Sequence, residues 1–85
     1  MKITLRFFAS VREQLGTSQE TLTLPAGVAS VGAVRQLLQD RGGVWASALG
    51  GDKSLRMAFN QGMCGPDTPI ADGGELAFFP PVTGG

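Results

Sequence analysis

The residues that could do chemistry are few in this chain, and the most suggestive ones stand at its end. The last six residues are Pro80-Pro81-Val82-Thr83-Gly84-Gly85. The two prolines lack a backbone donor and have a fixed φ, so they should end a strand and lead the chain outward. Gly84 and Gly85 have no side chains to obstruct a narrow channel. Six extended residues reach about 20 Å. We therefore expect a flexible tail over 80–85 that carries its terminal carboxylate into another protein.

Other reactive groups are scarce. The 85 residues include one cysteine, Cys64, and no histidine or tyrosine. The commonest general base is therefore absent, and a zinc site would lack its usual ligands. One cysteine cannot hold an iron–sulfur cluster, which excludes a ferredoxin. Cys64 could carry a persulfide, but no neighbour in the sequence would lower its thiol pKa, so we interpret it as buried or incidental.

The overall composition excludes several classes of partner. Seven basic residues balance seven acidic ones, and no basic stripe is present, so we expect no nucleic-acid partner. No apolar stretch is long enough to span a membrane, so we expect no membrane partner. The N-terminus alternates and does not read as a signal peptide. With one free cysteine, these features predict a cytoplasmic protein of one domain, over residues 1–79.

Hydrophobic periodicity predicts the elements that must position the tail. Alternation predicts strands, and apolar residues at helical spacing predict one main helix over about 31–41, with Ser30 as its N-cap. The predicted strands are 2–8, 19–24, 55–60 and 75–79. The first two are close in sequence and should pair antiparallel.

Shorter segments complete this outline. Ser10 and Glu13 have the spacing of a capping box, which predicts a short helix that ends at Gly16. Residues 44–49 predict a helical turn that brings Trp45 onto the core, and residues 62–69 read as irregular. A sheet with a helix on one face is an α+β domain.

Two aromatic pairs divide between the faces of this sheet. If Phe7 and Phe78 are core residues, then Phe8 and Phe79 must point the other way, because successive side chains of a strand alternate. Met63, just beyond the third strand, could join them. An exposed apolar patch on a small domain typically marks a partner surface.

The tail and the segments before it resemble one known family. Asp72–Gly85 is similar to the C-terminus of the small, sulfur-carrying subunit of molybdopterin synthase, and Phe7–Glu13 and Asn60-Gln61 resemble further parts of that family. The resemblance implies a ubiquitin-like β-grasp fold, with a mixed sheet and one main helix packed on one face. Gly74 departs from the family, in which an acidic residue is common at this position.

The resemblance also implies a reaction at Gly85. An E1-like enzyme would use ATP to adenylate its carboxylate, and a sulfur donor protein would then convert it to a thiocarboxylate. Gly84 would let the tail enter the channel of the larger synthase subunit. There the sulfur would pass to cyclic pyranopterin monophosphate during molybdenum cofactor biosynthesis. The chain would bind no cofactor stably, and the catalytic groups would belong to the larger subunit.

A docking surface for these partners follows from the same resemblance. Two small and two large subunits would form a heterotetramer. The implied partner-binding residues are Phe8, Arg12, Met63, Phe79, Pro80, Pro81, Val82 and Thr83. Two alternatives stay open at the level of sequence: a sulfur carrier for thiamine synthesis or tRNA thiolation, and a ubiquitin-like modifier or plain interaction module.

Overall fold

The computed structural model describes residues 1–50 and 54–81. Its elements follow the predicted order closely. They are β1 (Lys2–Phe7), α1 (Ala9–Leu15), β2 (Gln19–Thr23), α2 (Val31–Gln39), α3 (Val44–Leu49), β3 (Arg56–Phe59), β4 (Gly62–Cys64) and β5 (Glu75–Phe79). None of the described helices is long and apolar enough to cross a membrane.

The five strands form one mixed sheet in the order β2-β1-β5-β3-β4. β1 pairs with β2 in the predicted antiparallel sense and with β5 in parallel. β3 is antiparallel to both β5 and β4. Since the first and last strands are parallel neighbours at the centre, both end at the same edge of the sheet. The tail therefore leaves from the middle of that edge, directly beside the start of α1.

The core fills the space between one face of this sheet and the helices. Phe7 and Phe78 stack with ring centroids 6.0 Å apart, and the Trp45 ring meets Phe7 edge-on at 5.7 Å. Each fully buried large apolar side chain contributes about 1.5–3 kcal/mol. The wholly buried side chains are Ile3, Leu5, Phe7, Val11, Val31, Val34, Leu38, Leu49, Leu76 and Phe78. The predicted inward orientation of Phe7 and Phe78 and the position of Trp45 against the core are confirmed.

The main helix begins where the sequence predicts. Ser30 has an extended backbone, and its Oγ accepts a hydrogen bond from the Ala33 N–H at 3.2 Å, which satisfies one of the free donors of the first turn. The helix ends at Gln39, two residues earlier than expected. The chain then turns through Gly42, whose φ of 76° suits glycine.

The predicted capping box at Ser10 is wrong. Helix α1 begins at Ala9, its N-cap is Phe8, and no side chain caps it. Hydrogen bonds of Phe8 fix the start of this helix. The Phe8 N–H donates to the Phe78 carbonyl in the sheet at 3.1 Å, and the Phe8 carbonyl accepts from the N–H groups of Val11 and Arg12 in the helix. Ser10 therefore lies inside the first turn. The predicted end of this helix at Gly16, with φ of 75°, is confirmed.

The segment predicted to be irregular after residue 61 contains a short edge strand. β4 pairs with β3 across a two-residue turn, in which Asn60 and Gln61 have φ of 50° and 70°, as a type I′ hairpin requires. Asn60 is also fixed to β5, because its Oδ1 accepts from the Glu75 N–H at 2.9 Å. Its role in the structure is to hold this turn against β5. Three residues that include a glycine give too little alternation to identify a strand.

A polar cluster ties the edge strand β2 to the helices. The Arg41 guanidinium donates to both carboxylate oxygens of Glu20, with its Nη1 2.9 Å from Oε1, and its Cζ lies 4.4 Å from the centre of the Trp45 ring. The hydrogen bonds from Arg41 lower the pKa of Glu20 below its usual value. This carboxylate is therefore stabilised in its charged form by the fold.

The close contact at Gly74 gives a first prediction. A Cβ at this position would lie 2.2 Å from Phe59 Cζ, so Gly74→Ala should cost about 1–3 kcal/mol of unfolding free energy through overpacking. In a Phe59→Ala background most of this cost should vanish, as measured by a double-mutant cycle in denaturant. Gly65→Ala, where a Cβ meets nothing within 4 Å, is the matched control. Equal costs of Gly74→Ala in both backgrounds would contradict this account.

A second prediction concerns acid stability. The lowered pKa of Glu20 means that its stabilising contribution is complete above the unfolded pKa and is lost as the pH falls through the folded one. Glu20→Gln should therefore reduce the unfolding free energy by about 0.5–1 kcal/mol at pH 7. The difference should shrink below about pH 4. Glu13→Gln on the exposed side of α1 is the control. A deficit of Glu20→Gln that persists at the lowest pH would show lost packing instead of lost charge.

Candidate partner interface at the base of the tail

The predicted partner residues on the strands lie on the side of the sheet that points away from the helices. β1 buries every second residue in the core, so Arg6 points to the opposite side. The pairing of the strands shows which residues of the neighbouring strands share this side with Arg6. Arg6 lies opposite Ala77, Ala77 opposite Ala58, and Ala58 opposite Met63. We call this side the outer face. Its strand residues are Lys2, Thr4, Arg6, Gln19, Thr21, Thr23, Arg56, Ala58, Met63, Glu75, Ala77 and Phe79.

Two aromatic side chains form a ridge where the tail begins. Phe8 and Phe79 meet edge to face with ring centroids 6.5 Å apart. The Phe8 side chain is 40% exposed, and Phe79 is half-buried. Their inward neighbours Phe7 and Phe78 are fully buried, so the predicted outward orientation of both is confirmed. This aromatic ridge is a preformed apolar surface at the point where β5 leads into the tail.

Met63 shares the outer face with the ridge but does not lie directly beside it. It belongs to the edge strand β4 and is 60% exposed. Ala58 and Ala77 lie between it and β1. Two strand spacings separate β4 from β5, a distance of about 10 Å. Met63 and the ridge are thus two apolar positions joined by a strip of small side chains.

The structure locates Arg12 but shows, among the described residues, no contact of its side chain that bears on the predicted partner role. Arg12 is exposed on α1, and its backbone N–H donates to the Phe8 carbonyl at 3.3 Å. Its side chain forms no hydrogen bond or ion pair with any residue in the described ranges. Arg12 is therefore beside the ridge in the chain and is not part of the outer face itself.

Sequence reasoning missed two arginines on the outer face. Arg6 lies with its Cζ 5.5 Å from the centre of the Phe8 ring, and its Nη1 is 3.5 Å from a Glu75 carboxylate oxygen. Its Nε is buried and has no hydrogen-bond partner. Arg56 is exposed opposite Phe79. The alternation of β1 and β3 could have identified them, because both arginines occupy the alternate positions whose side chains face outward.

The structure describes the first two residues of the tail, Pro80 and Pro81. Pro80 and Pro81 follow β5 without a break and are half-buried, consistent with the predicted end of the last strand at Phe79. The predicted site residues Val82, Thr83, Gly84 and Gly85 lie outside the described residues. Their assigned roles remain predictions.

Cys64 lies in surroundings that disfavour its thiolate form. It pairs with Met57 on the core side of the sheet, where burial raises the pKa of its thiol, against smaller opposing effects from hydrogen bonds at Phe59 and Thr68. A raised pKa disfavours the thiolate, which is the reactive form. Among the described residues, no group of three or more His, Cys, Asp or Glu side chains could hold a metal ion.

Comparison with known proteins identifies the family. The model of the ThiS family matches residues 5–85. The chain belongs to the ThiS family. A molybdopterin synthase sulfur carrier subunit from Escherichia coli is 45% identical over 83 residues, which cover 98% of this chain and 99% of that protein. The family relationship inferred from the tail motifs is thereby confirmed.

Solved structures agree with this assignment at the level of fold. SAMP1 from Haloferax volcanii superposes on this ThiS-family chain with a TM-score of 0.81 and 27% identity, and each chain is covered completely. A complex of subunits 1 and 2 of molybdopterin-converting factor from Helicobacter pylori contains a chain that matches with a TM-score of 0.69 and 23% identity, also over both full lengths. The predicted ubiquitin-like β-grasp fold is confirmed.

The two neighbouring phenylalanines of β5 give a third prediction. Phe79→Asp should lower the unfolding free energy by about 1 kcal/mol, because it loses an edge-to-face contact on a surface that water reaches. Phe78→Asp should cost more than about 4 kcal/mol, because it places a carboxylate in the core without a partner. Thermal unfolding followed by circular dichroism measures both. Equal destabilisation by the two changes would show that Phe79 is a core residue.

Proposed function

We propose that this chain is the sulfur carrier subunit of a molybdopterin synthase. The observation that carries the proposal is its 45% identity to a sulfur carrier subunit over almost the whole of both proteins. The geometry supports it, because β5 leads from the centre of the sheet, past the aromatic ridge, into Pro80 and Pro81. A partner that docks on the ridge would receive the tail at its own surface.

The chemistry proposed for the tail starts from an unreactive group. The Gly85 carboxylate resists nucleophiles because it is negatively charged and would have to expel oxide. An E1-like partner overcomes this by letting a carboxylate oxygen attack the α-phosphorus of ATP, with pyrophosphate leaving. A sulfur donor then attacks the acyl carbon, and AMP leaves. With a persulfide as the donor group, this attack joins its outer sulfur to Gly85 as an acyl disulfide. A thiol of a partner protein then attacks the donor's inner sulfur, forms a disulfide with it, and so releases a Gly85 thiocarboxylate, whose sulfur is an accessible nucleophile for cyclic pyranopterin monophosphate.

In this proposal the small and the large subunit have different roles. This chain supplies the reacting sulfur and the tail, and the larger subunit supplies acid–base groups and the pterin site, because the chain has no histidine. It needs no stably bound cofactor, since ATP is used on the activating enzyme. We place the assembly, with two copies of each subunit, in the cytoplasm. The complex of the Helicobacter pylori subunits supports the pairing of small and large subunits.

One alternative has a specific observation in its favour. SAMP1, which matches this chain with a TM-score of 0.81, belongs to proteins described as small archaeal modifiers. A modifier would use the same activated Gly85 but form an amide with a lysine of a target protein. Isolation of such a conjugate from cells would favour this function. A thiocarboxylate consumed only by the larger subunit would favour the sulfur carrier.

The fourth prediction tests the tail directly. After incubation with ATP, the activating enzyme and a sulfur donor, intact mass spectrometry should show replacement of one oxygen by sulfur. Deletion of Gly85 should abolish this change, because the loaded glycine is gone. Gly84→Leu should reduce it at least about tenfold, because a side chain next to Gly85 would obstruct entry of the tail into the activating enzyme. Gly84→Ala serves as the small-side-chain control, and an unchanged thermal unfolding midpoint shows that the fold is intact. Normal loading of the Gly85-deleted chain would refute the proposal.

A further inference from the structure

The outer face carries an excess of positive charge that the chain as a whole lacks. Basic and acidic residues balance over the full sequence. On the strands of the outer face, the ionisable side chains are three cations, Lys2, Arg6 and Arg56, against one anion, Glu75. Lys2 stands at the far end, where its backbone N–H donates to the Asp72 carboxylate at 2.7 Å. The two arginines therefore concentrate the charge at the end from which the tail departs.

The arginines lie on either side of the strand that carries the tail. Arg6, on β1, is opposite Ala77 of β5, and Arg56, on β3, is opposite Phe79. Between them on β5 lie the small Ala77 side chain and the ring of Phe79. β1 and β3 are two strand spacings apart, about 10 Å. Two long arginine side chains that extend toward each other from these strands can span this distance. We call this pair the arginine bracket.

The bracket has hydrogen-bond donors that the isolated fold does not use fully. The Arg6 side chain is 37% exposed, and its ion pair with Glu75 is long, at 3.5 Å. Its Nε is buried without a hydrogen-bond partner, so a docking protein would meet the terminal nitrogens of the guanidinium group. The Arg56 side chain forms no hydrogen bond or ion pair within residues 1–50 and 54–81. A partner that covered these guanidinium groups with apolar side chains would remove their water without replacing it, which is costly. Carboxylates would satisfy them with charge-assisted, bidentate hydrogen bonds.

We propose that the arginine bracket binds acidic side chains of the larger synthase subunit, and thereby selects the partner and fixes the base of the tail. The inference rests on the proposed function, because docking of that subunit is what buries the outer face. The aromatic ridge contributes apolar contact area, which any apolar partner surface could match. The bracket adds a requirement for carboxylates at two positions beside β5, so a larger subunit without them should bind poorly.

The test is the affinity of the chain for the larger subunit of the same organism, measured by calorimetry at several salt concentrations. The double variant Arg6→Gln, Arg56→Gln should raise Kd at low salt by about tenfold or more and flatten its salt dependence. Arg41→Gln is the matched control, since it also removes a cation paired with a glutamate, but on the helix side of the sheet. Its Kd should stay within about twofold of the unchanged chain.

The outcomes separate this inference from the function on which it rests. If the unchanged chain binds and the double variant binds equally well with the same salt dependence, the bracket proposal is overturned and the sulfur-carrier function stands. If the unchanged chain does not bind the larger subunit, both are overturned. Should the double variant unfold, the single Arg56→Gln variant carries the same test, because Arg56 is exposed and unpaired within the described ranges. For that variant a several-fold rise in Kd at low salt supports the bracket, and no change overturns it.

Discussion

The parallel pairing of β1 with β5 is the constraint on which the rest of the structure depends. It places the first and last strands side by side at the centre of the sheet. One consequence is the stacked pair of Phe7 and Phe78, which occupies the middle of the core. The other is the pair one residue further along each strand, Phe8 and Phe79, which must face outward together. Core and candidate interface are thus produced by the same register.

This arrangement fits the proposed role of a small domain that carries a reacting group to a partner. The tail follows β5, whose Leu76 and Phe78 are fully buried, so the core fixes the position of its base. Pro80 and Pro81 lack the backbone N–H groups that would continue the hydrogen bonds of the strand. The lone thiol is held on the core side of the sheet, where burial raises its pKa. In the proposed function, the reacting group is instead the carboxylate of Gly85 at the end of the tail. Reactivity is thereby separated from the residues that stabilise the fold.

The outer face combines two kinds of recognition. The aromatic ridge contributes apolar contact area whatever the partner. The arginines set a condition on the partner's chemistry, because Arg6 is only partly paired beside the Phe8 ring and the exposed Arg56 side chain has no partner among the described residues. The physical reason is that burial of a polar group has unequal outcomes. A guanidinium group is well solvated in water, and covering it without a hydrogen-bond acceptor costs free energy. Covering it with a carboxylate instead gives strong, charge-assisted hydrogen bonds. A small number of charged positions can therefore discriminate among partners that share a common apolar footprint.

The sequence by itself determined the strands with clear alternation, the Ser30-capped helix, the inward and outward aromatic pairs, and the family to which the tail belongs. These depend on local periodicity and on residue types that have one dominant use. Only the tertiary structure decided that β1 and β5 are parallel neighbours, that Gly62–Cys64 forms an edge strand, and that α1 starts at Ala9 and not after a Ser10 cap. It alone brought Arg6 and Arg56 to the two sides of the tail strand. Each of these depends on hydrogen bonds between segments far apart in the chain, such as that from Phe8 to Phe78. Local propensity does not predict such bonds, because it depends only on neighbouring residues.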